Sequence, residues 1–149
     1  MADLTTTISE SVTLNSAVRG TTNTVTTTGI NNVYERIVTC THSQATTLVA
    51  FNTNSYGAVV QLDKEDVRYI RVTNLNATIS VEIAIVGAAT LYQVTLKAGQ
   101  SHILGAADNI MLAEADTTPS YGTMAALQNI SVTPVGTTNV DLEVFVASV

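Results

Sequence analysis

The chain has 149 residues, of which 46% are hydrophobic and only 12% charged, with a formal net charge of −6. Six Lys and Arg, scattered as Arg19, Arg36, Lys64, Arg68, Arg71 and Lys97, form no basic stripe to neutralise phosphates, so nucleic acid is not an expected partner. The longest apolar run, Ile83 to Ala89, is far short of the ~20 residues of a membrane-spanning helix, and the single Cys40 excludes an internal disulfide.

A chain of this length suits one domain, 1–149, which buries roughly 68–70% of the surface its unfolded form exposes. With a mean hydropathy of +0.28 and so few charges, the surface must be covered by uncharged polar side chains, and 25 threonines fill that role. Threonine is β-branched and fits a pleated, half-exposed surface, which points to an all-β class.

The opening MADLTTTISES carries neither a basic segment nor an apolar core of a secretory signal, which implies synthesis in the cytoplasm as a soluble chain. Short strands are expected at 4–8, 23–28, 33–40, 46–52 and 58–62, followed by the charged turn Asp63-Lys64-Glu65-Asp66. In 67–73 the apolar Ile70 and Val72 are even-numbered, whereas in 79–85 Ile79, Val81, Ile83 and Ile85 are odd-numbered. A turn at Asn74 to Ala77 accounts for the switch and predicts a hairpin with Val72 facing Ile79 and Ile70 facing Val81. A second tight turn at Gly87-Ala88 predicts Ile83 opposite Tyr92, Val81 opposite Val94 and Ile79 opposite Leu96. The reverse face of this meander then presents Tyr69, Glu82 and Gln93 in one row and Arg71, Ser80 and Thr95 in the next. Segment 79–86, ISVEIAIV, is an aggregation hazard unless covered, so a second sheet or a permanent neighbour must protect it.

Between Gly105 and Gln128 the alternation lapses, and two clusters, Ile110 to Ala115 and Met124 to Leu127, predict a long connection with at most one or two helical turns. Strands resume at 129–135 and 140–148. Shared even parity of Ile130 and Val132 with Val140, Leu142, Val144 and Val146 predicts a hairpin through an odd-length loop at Thr137 to Asn139, with Phe145 facing outward and Pro134 at an edge or bulge. The expected architecture is a single-domain β-sandwich, jelly-roll-like, or a barrel of mostly antiparallel strands.

Candidate chemistry is sparse. Cys40, His42 and His102 are metal-ligand types without a recognised spacing, and they read as a buried thiol and two hydrogen-bonded or exposed imidazoles. Asp108, Asn109, Glu114 and Asp116 supply oxygens in the long connection without a calcium-loop pattern, and an acidic loop is usually only solvated. Ser101 and His102 are adjacent in a predicted strand and so point to opposite faces, and no nucleophile motif accompanies them. Glu82 with Glu143 is a carboxylate pair without the tryptophan that sugar sites often use. Asn76-Ala77-Thr78 and Asn129-Ile130-Ser131 match the glycosylation pattern but serve as turn and strand-start residues. No catalytic centre, cofactor or metal is expected.

Five segments in order, LTTTISESVTLN at 4–15, TNTVTTTGINNVYERIVTC at 22–40, VRYIRVTNLNATISVEIAI at 67–85, LKAGQSHIL at 96–104 and VDLEVFVAS at 140–148, cover about half the chain. Together they resemble small β-rich virion structural proteins of tailed bacteriophages, marine and cyanobacterial ones among them. The resemblance implies a capsid or tail accessory subunit located on the virion, and it carries no active-site residues. Low charge and the absence of site chemistry suit a protein whose product is a surface, most simply a capsid decoration or cement subunit, with a tail or fibre-attachment component as the alternative. Such a subunit would form homo-oligomers and contact capsid or tail proteins through Tyr69, Arg71, Glu82, Gln93, Tyr121 and Phe145. A carbohydrate-binding module is the remaining class, with Tyr34, Tyr56, Tyr69 or Tyr121 as a stacking surface for a glycan.

Overall fold

The computed structural model describes residues 1–52, 61–87, 91–112, 118 and 121–149. The strands are β1 (Ala2–Ser9), β2 (Val12–Leu14), β3 (Ala17–Arg19), β4 (Thr22–Ile30), β5 (Asn32–Cys40), β6 (Thr46–Asn52), β7 (Gln61–Asp63), β8 (Val67–Asn74), β9 (Val81–Gly87), β10 (Leu91–Leu96), β11 (Ser101–Leu104), β12 (Leu127–Pro134) and β13 (Val140–Ser148). No helix occurs among the described residues, so the helical turns allowed for in the long connection are absent there. Instead its two apolar clusters meet as a β-bridge, Met111 opposite Ala125, and Leu127 donates its N–H to the Ala107 carbonyl at 2.8 Å. The expected strand at 58–62 is described only over its last residues, as part of β7, which runs parallel to β6.

Two sheets form the body, a five-stranded one in the order β10-β9-β12-β6-β7 and a four-stranded one in the order β11-β8-β13-β5. With β7 set aside, β5 and β6 lie in different sheets, as do β8 and β9, β10 and β11, and β12 and β13, while β9 and β10 form a hairpin. Strand order and crossings are those of a jelly roll, an antiparallel sandwich of two Greek keys. Both sheets keep open edges, so the barrel alternative is not what forms.

This wiring corrects both predicted hairpins. β8 pairs with β13 and β11, not with β9, and β12 pairs with β9 and β6, not with β13. Ile70 and Val72 therefore share one buried core with Val81 and Ile83 from opposed sheets and are not their neighbours in one sheet. Alternation fixes which side of a strand is apolar; two strands of one sheet and two strands of opposed sheets carry the same signature. The β9–β10 hairpin does form, but slid by one pleat, with Val81 opposite Leu96, Ile83 opposite Val94 and Ile85 opposite Tyr92. Its turn at Gly87-Ala88 runs outside the described residues. Pro134 ends β12, past the last β6 pair at Val132, where no ladder bond to β6 is required of it.

The segment read as a hairpin turn is a corner between the sheets. Asn74 is fully buried, and its amide donates to the carbonyls of Ile79 at 2.8 Å and Leu96 at 3.3 Å. Asn76 Oδ1 accepts the backbone N–H of Thr78 and of Ile79, turning the chain toward β9. Ile70, Val72, Val81, Ile83, Ile85, Ile130, Val132, Leu142 and Val144 fill the interior, all essentially without exposure.

Ahead of the body, residues 2 to 30 form one long β-hairpin. β1 pairs with β4 and β2 with β3, and the pair numbers keep one constant sum from Leu4↔Thr27 to Leu14↔Ala17. Asn15 (φ 50) and Ser16 (φ 62) make the two-residue tip, the double positive-φ geometry that matches strand twist. From Ala2 to Leu14 the arm spans ~40 Å at ~3.4 Å per residue.

Candidate interaction surfaces

Neighbouring strands place Tyr69, Arg71 and Phe145 together on the outer face of the four-stranded sheet, since Phe145 pairs with Arg71 and Ala147 with Tyr69. Tyr69 meets Phe145 edge-on, with ring centroids 6.0 Å apart, and the Arg71 guanidinium lies 5.8 Å from the Phe145 ring centre. Arg71 Nη1 also reaches Glu143 Oε2 at 3.0 Å and donates to Thr73 Oγ1 at 2.8 Å, which in turn contacts Ser101 Oγ at 2.8 Å. Leu4 to Thr7 of β1 pass over this cluster and enclose with it a cleft of about 260 Å³. The base of the arm is thus seated on the sheet.

Glu82 and Gln93 lie on the other side of the molecule, against Ala84, Ser131 and Thr133 of the five-stranded sheet and Ala45 just ahead of β6. The slid register sets Gln93 opposite Ala84 and Glu82 opposite Thr95, so Tyr69, Glu82 and Gln93 do not form a row. Tyr121 stands apart in the long connection, 89% exposed. Of the expected contact residues, then, Tyr69, Arg71 and Phe145 are brought together and the other three are not.

The candidates for chemistry are dispersed in the same way. Cys40 is at the β5 edge of its sheet and His102 on β11 at the opposite edge, with β13 and β8 between them. At ~4.8 Å per strand this is about 14 Å. Burial, with the Asp141 carboxylate adding to it, pushes the Cys40 thiol up to about 11. His42 is held by Asn139, whose Oδ1 accepts its backbone N–H and lies 3.0 Å from Nδ1. His102 Nε2 is 3.3 Å from the Tyr92 hydroxyl, and burial lowers the imidazole's pKa and raises that of the phenol. Ser101 faces Thr73 on the outer side while His102 pairs with Val72, so the two diverge. Glu82 and Glu143 belong to different sheets and are turned away from each other. Asp108 and Asn109 lie in the described part of the long connection; Glu114, Asp116 and Tyr56 fall outside the described residues. Among the described residues no three His, Cys, Asp or Glu side chains converge. Asn76 and Asn129 spend their side-chain oxygens locally, on Thr78 and Ser131 respectively.

A groove of about 510 Å³ opens between β5, the edge of its sheet, and the part of β6 that precedes its pairing with β7, lined by Tyr34, Arg36, Ile37, Val38, Thr39, Thr47, Leu48 and Val49. Arg36 lies 5.9 Å from the Tyr34 ring centre. Beyond β5 there is no further strand among the described residues, so its outer backbone groups and the outward Val33 and Ile37 are uncovered.

The strands expected at 4–8 and 23–28 form, but their pairing into an arm is not apparent from sequence. Opposite residues in an antiparallel pair share a face, so Leu4, Ile8, Val12 and Leu14 lie on one side with Val25, Arg19 and Ala17. Its reverse is a hydroxyl ladder, with Thr7 and Thr24 oxygens 3.2 Å apart and Ser9 and Thr22 2.9 Å apart. Beyond Thr7 the apolar side meets nothing among the described residues, and Ile8, Val12 and Leu14 are all exposed. The signal available in sequence was Val12-Thr13-Leu14 and Ala17-Val18-Arg19 flanking Asn15-Ser16, an alternation too short to stand out. No protein family, curated protein or solved structure matches this chain.

Proposed function

We propose that this protein is a non-enzymatic structural subunit of a tailed-phage particle, acting as a capsid decoration or cement protein through uncharged β surfaces. The observation that carries the reading is the arm. A two-stranded hairpin with one exposed apolar side is marginal in water by itself, and its burial requires another molecule. The rest of the surface agrees, because low charge and a threonine-rich exterior favour close packing of copies over electrostatic capture. The sequence resemblance supplies the particle; the jelly-roll wiring serves viral capsid proteins and lectins alike and does not choose between them.

A tail or fibre-attachment role would use the same surfaces. A glycan-binding role has less in its favour, since Tyr69 is engaged with Phe145, Tyr34 with Arg36, and Tyr121 projects without a second ring near it among the described residues. Mass spectrometry of salt-washed particles with electron microscopy tests the reading. The chain is expected in stoichiometric amount on the capsid shell, retained at high salt because exposed ion pairs are screened there. Absence from the particles, together with binding to a defined sugar on a glycan array, overturns it.

A further inference from the structure

We propose that the free half of the arm, residues 8 to 23, docks apolar side down on the outer face of β5 in a second copy of this chain, so that copies are linked by exchanged arms. The inference rests on the structural-subunit reading and names the partner and the surface. The arm's base shows the mode of contact, for Leu4 to Thr7 lie over Tyr69, Arg71 and Phe145 of their own sheet. That cover stops short of β5, where Val33 is 50% and Ile37 66% exposed on the same outer face. The side of the arm that begins at Leu4 continues through Val12 and Leu14, 58% and 59% exposed, with none of the described residues of its own chain against it. A seat without a cover and a cover without a seat are thus present in one chain.

Charge selects the register. Arg19 lies opposite Val12 on the arm's apolar side, which also carries Glu10, opposite Thr21. Glu35 lies between Val33 and Ile37 on β5, opposite Phe145 of β13 and therefore on the same outer face. Neither has an ion-pair partner among the described residues, whereas the Arg71 and Glu143 beside them are already paired. Setting Val12 and its cross-strand partner Arg19 over Ile37 and Glu35, two residues apart on β5, puts an apolar group on an apolar group and a charge on its complement. The free half is a ribbon about 20 Å by 10 Å, small against the ~1,200–2,000 Å² of a stable interface. Exchange is therefore reciprocal in a dimer or repeated around a ring, each copy giving one arm and receiving one.

The test uses the full chain in three forms. Sedimentation velocity over a range of concentrations should show self-association in the wild type. Arg19→Glu and Glu35→Arg should each weaken it about tenfold, and the double reversal should restore it to within about threefold of wild type. In a mixture of Val12→Cys and Ile37→Cys chains, mild oxidation should give a covalent dimer that neither variant gives alone, the native Cys40 being buried. Circular dichroism checks that each variant keeps the fold. Self-association unaffected by the reversals, with no mixed cross-link, overturns the arm contact while leaving a structural subunit. A cross-link formed by Val12→Cys alone replaces it with arm-to-arm pairing. A wild type that is monomeric throughout overturns it too, and the function proposed above then stands or falls separately on whether the chain is found on particles.

Discussion

The side-chain amide of Asn74 donates to the backbone carbonyl of Leu96 across the buried interior, 3.3 Å away. Asn74 ends β8 in one sheet and Leu96 ends β10 in the other, so one amide ties the two layers at the corner where the chain passes between them. The same nitrogen holds the Ile79 carbonyl at 2.8 Å, and the Asn74 oxygen accepts the Asn76 N–H at 3.0 Å. Replacing Asn74 by Leu leaves these backbone groups without partners in a place water does not reach. A loss of about 2–4 kcal/mol is expected, measured as a lower urea midpoint with unchanged slope.

Cys40 gives the protein a pH dependence of known sign. Its thiol goes from an ordinary 9.0 to about 11 in the folded state, so folding favours the protonated form. That stability is fully present below pH 9 and is lost as pH rises through about 11, amounting to about 2–3 kcal/mol when the loss is complete. Urea unfolding at pH 8 and pH 11 should show a steeper decline for the wild type than for Cys40→Ala, the comparison cancelling other alkaline groups such as Tyr92. In native protein at pH 8 the thiol should also resist alkylating reagents and react once unfolded.

Two isoleucines separate body from arm. Ile83 has no exposure and packs between the sheets, so Ile83→Ala is expected to cost about 3–4 kcal/mol. Ile8 is half exposed on the free arm, and Ile8→Ala should leave the dilute protein within about 0.5 kcal/mol of wild type. Equal losses at the two positions, by chemical denaturation below the association range, would mean that the arm folds back on the body.

Gly20 controls the arm's midpoint. Its φ is +122, and a Cβ there would fall 2.1 Å from the Glu10 carbonyl oxygen. Gly20→Ala should therefore part the arm between β1 and β2 without touching the interior. Hydrogen exchange is the measurement: amides of residues 5 to 9 and 22 to 26 should exchange at least tenfold faster, and those of β12 and β13 at the wild-type rate.

The body strands were legible because both sheets bury one side of each strand, and Ile83 or Val144 then stands out against outward polar neighbours. The bounds of β6 and β13 were read as they occur. Partners were not legible, since the Ile70–Val81 relationship looks the same in numbering whether the two meet within a sheet or across the interior. Asn74 was read as a turn residue because asparagine usually is one; only its burial reveals the bracket. Of the expected contact residues, Tyr69, Arg71 and Phe145 are legible as outward-facing. The arm was not, because threonine alternating with threonine gives no contrast between its two sides, and its apolar residues are widely spaced.

The placement of β13 bears on how the molecule comes into being. Val140 to Ser148 lies between β5 and β8, and it is the strand that joins them. Until those residues leave the ribosome, β5 has no hydrogen-bonded neighbour in the body, and the four-stranded layer is two separate pieces. The arm, whose pairs lie close in sequence, closes early and waits; the sandwich, whose pairs are distant, closes late. If arms are exchanged as proposed above, the β5 seat exists only in a chain already synthesised through Ser148, and unfinished chains would offer a neighbour's arm none.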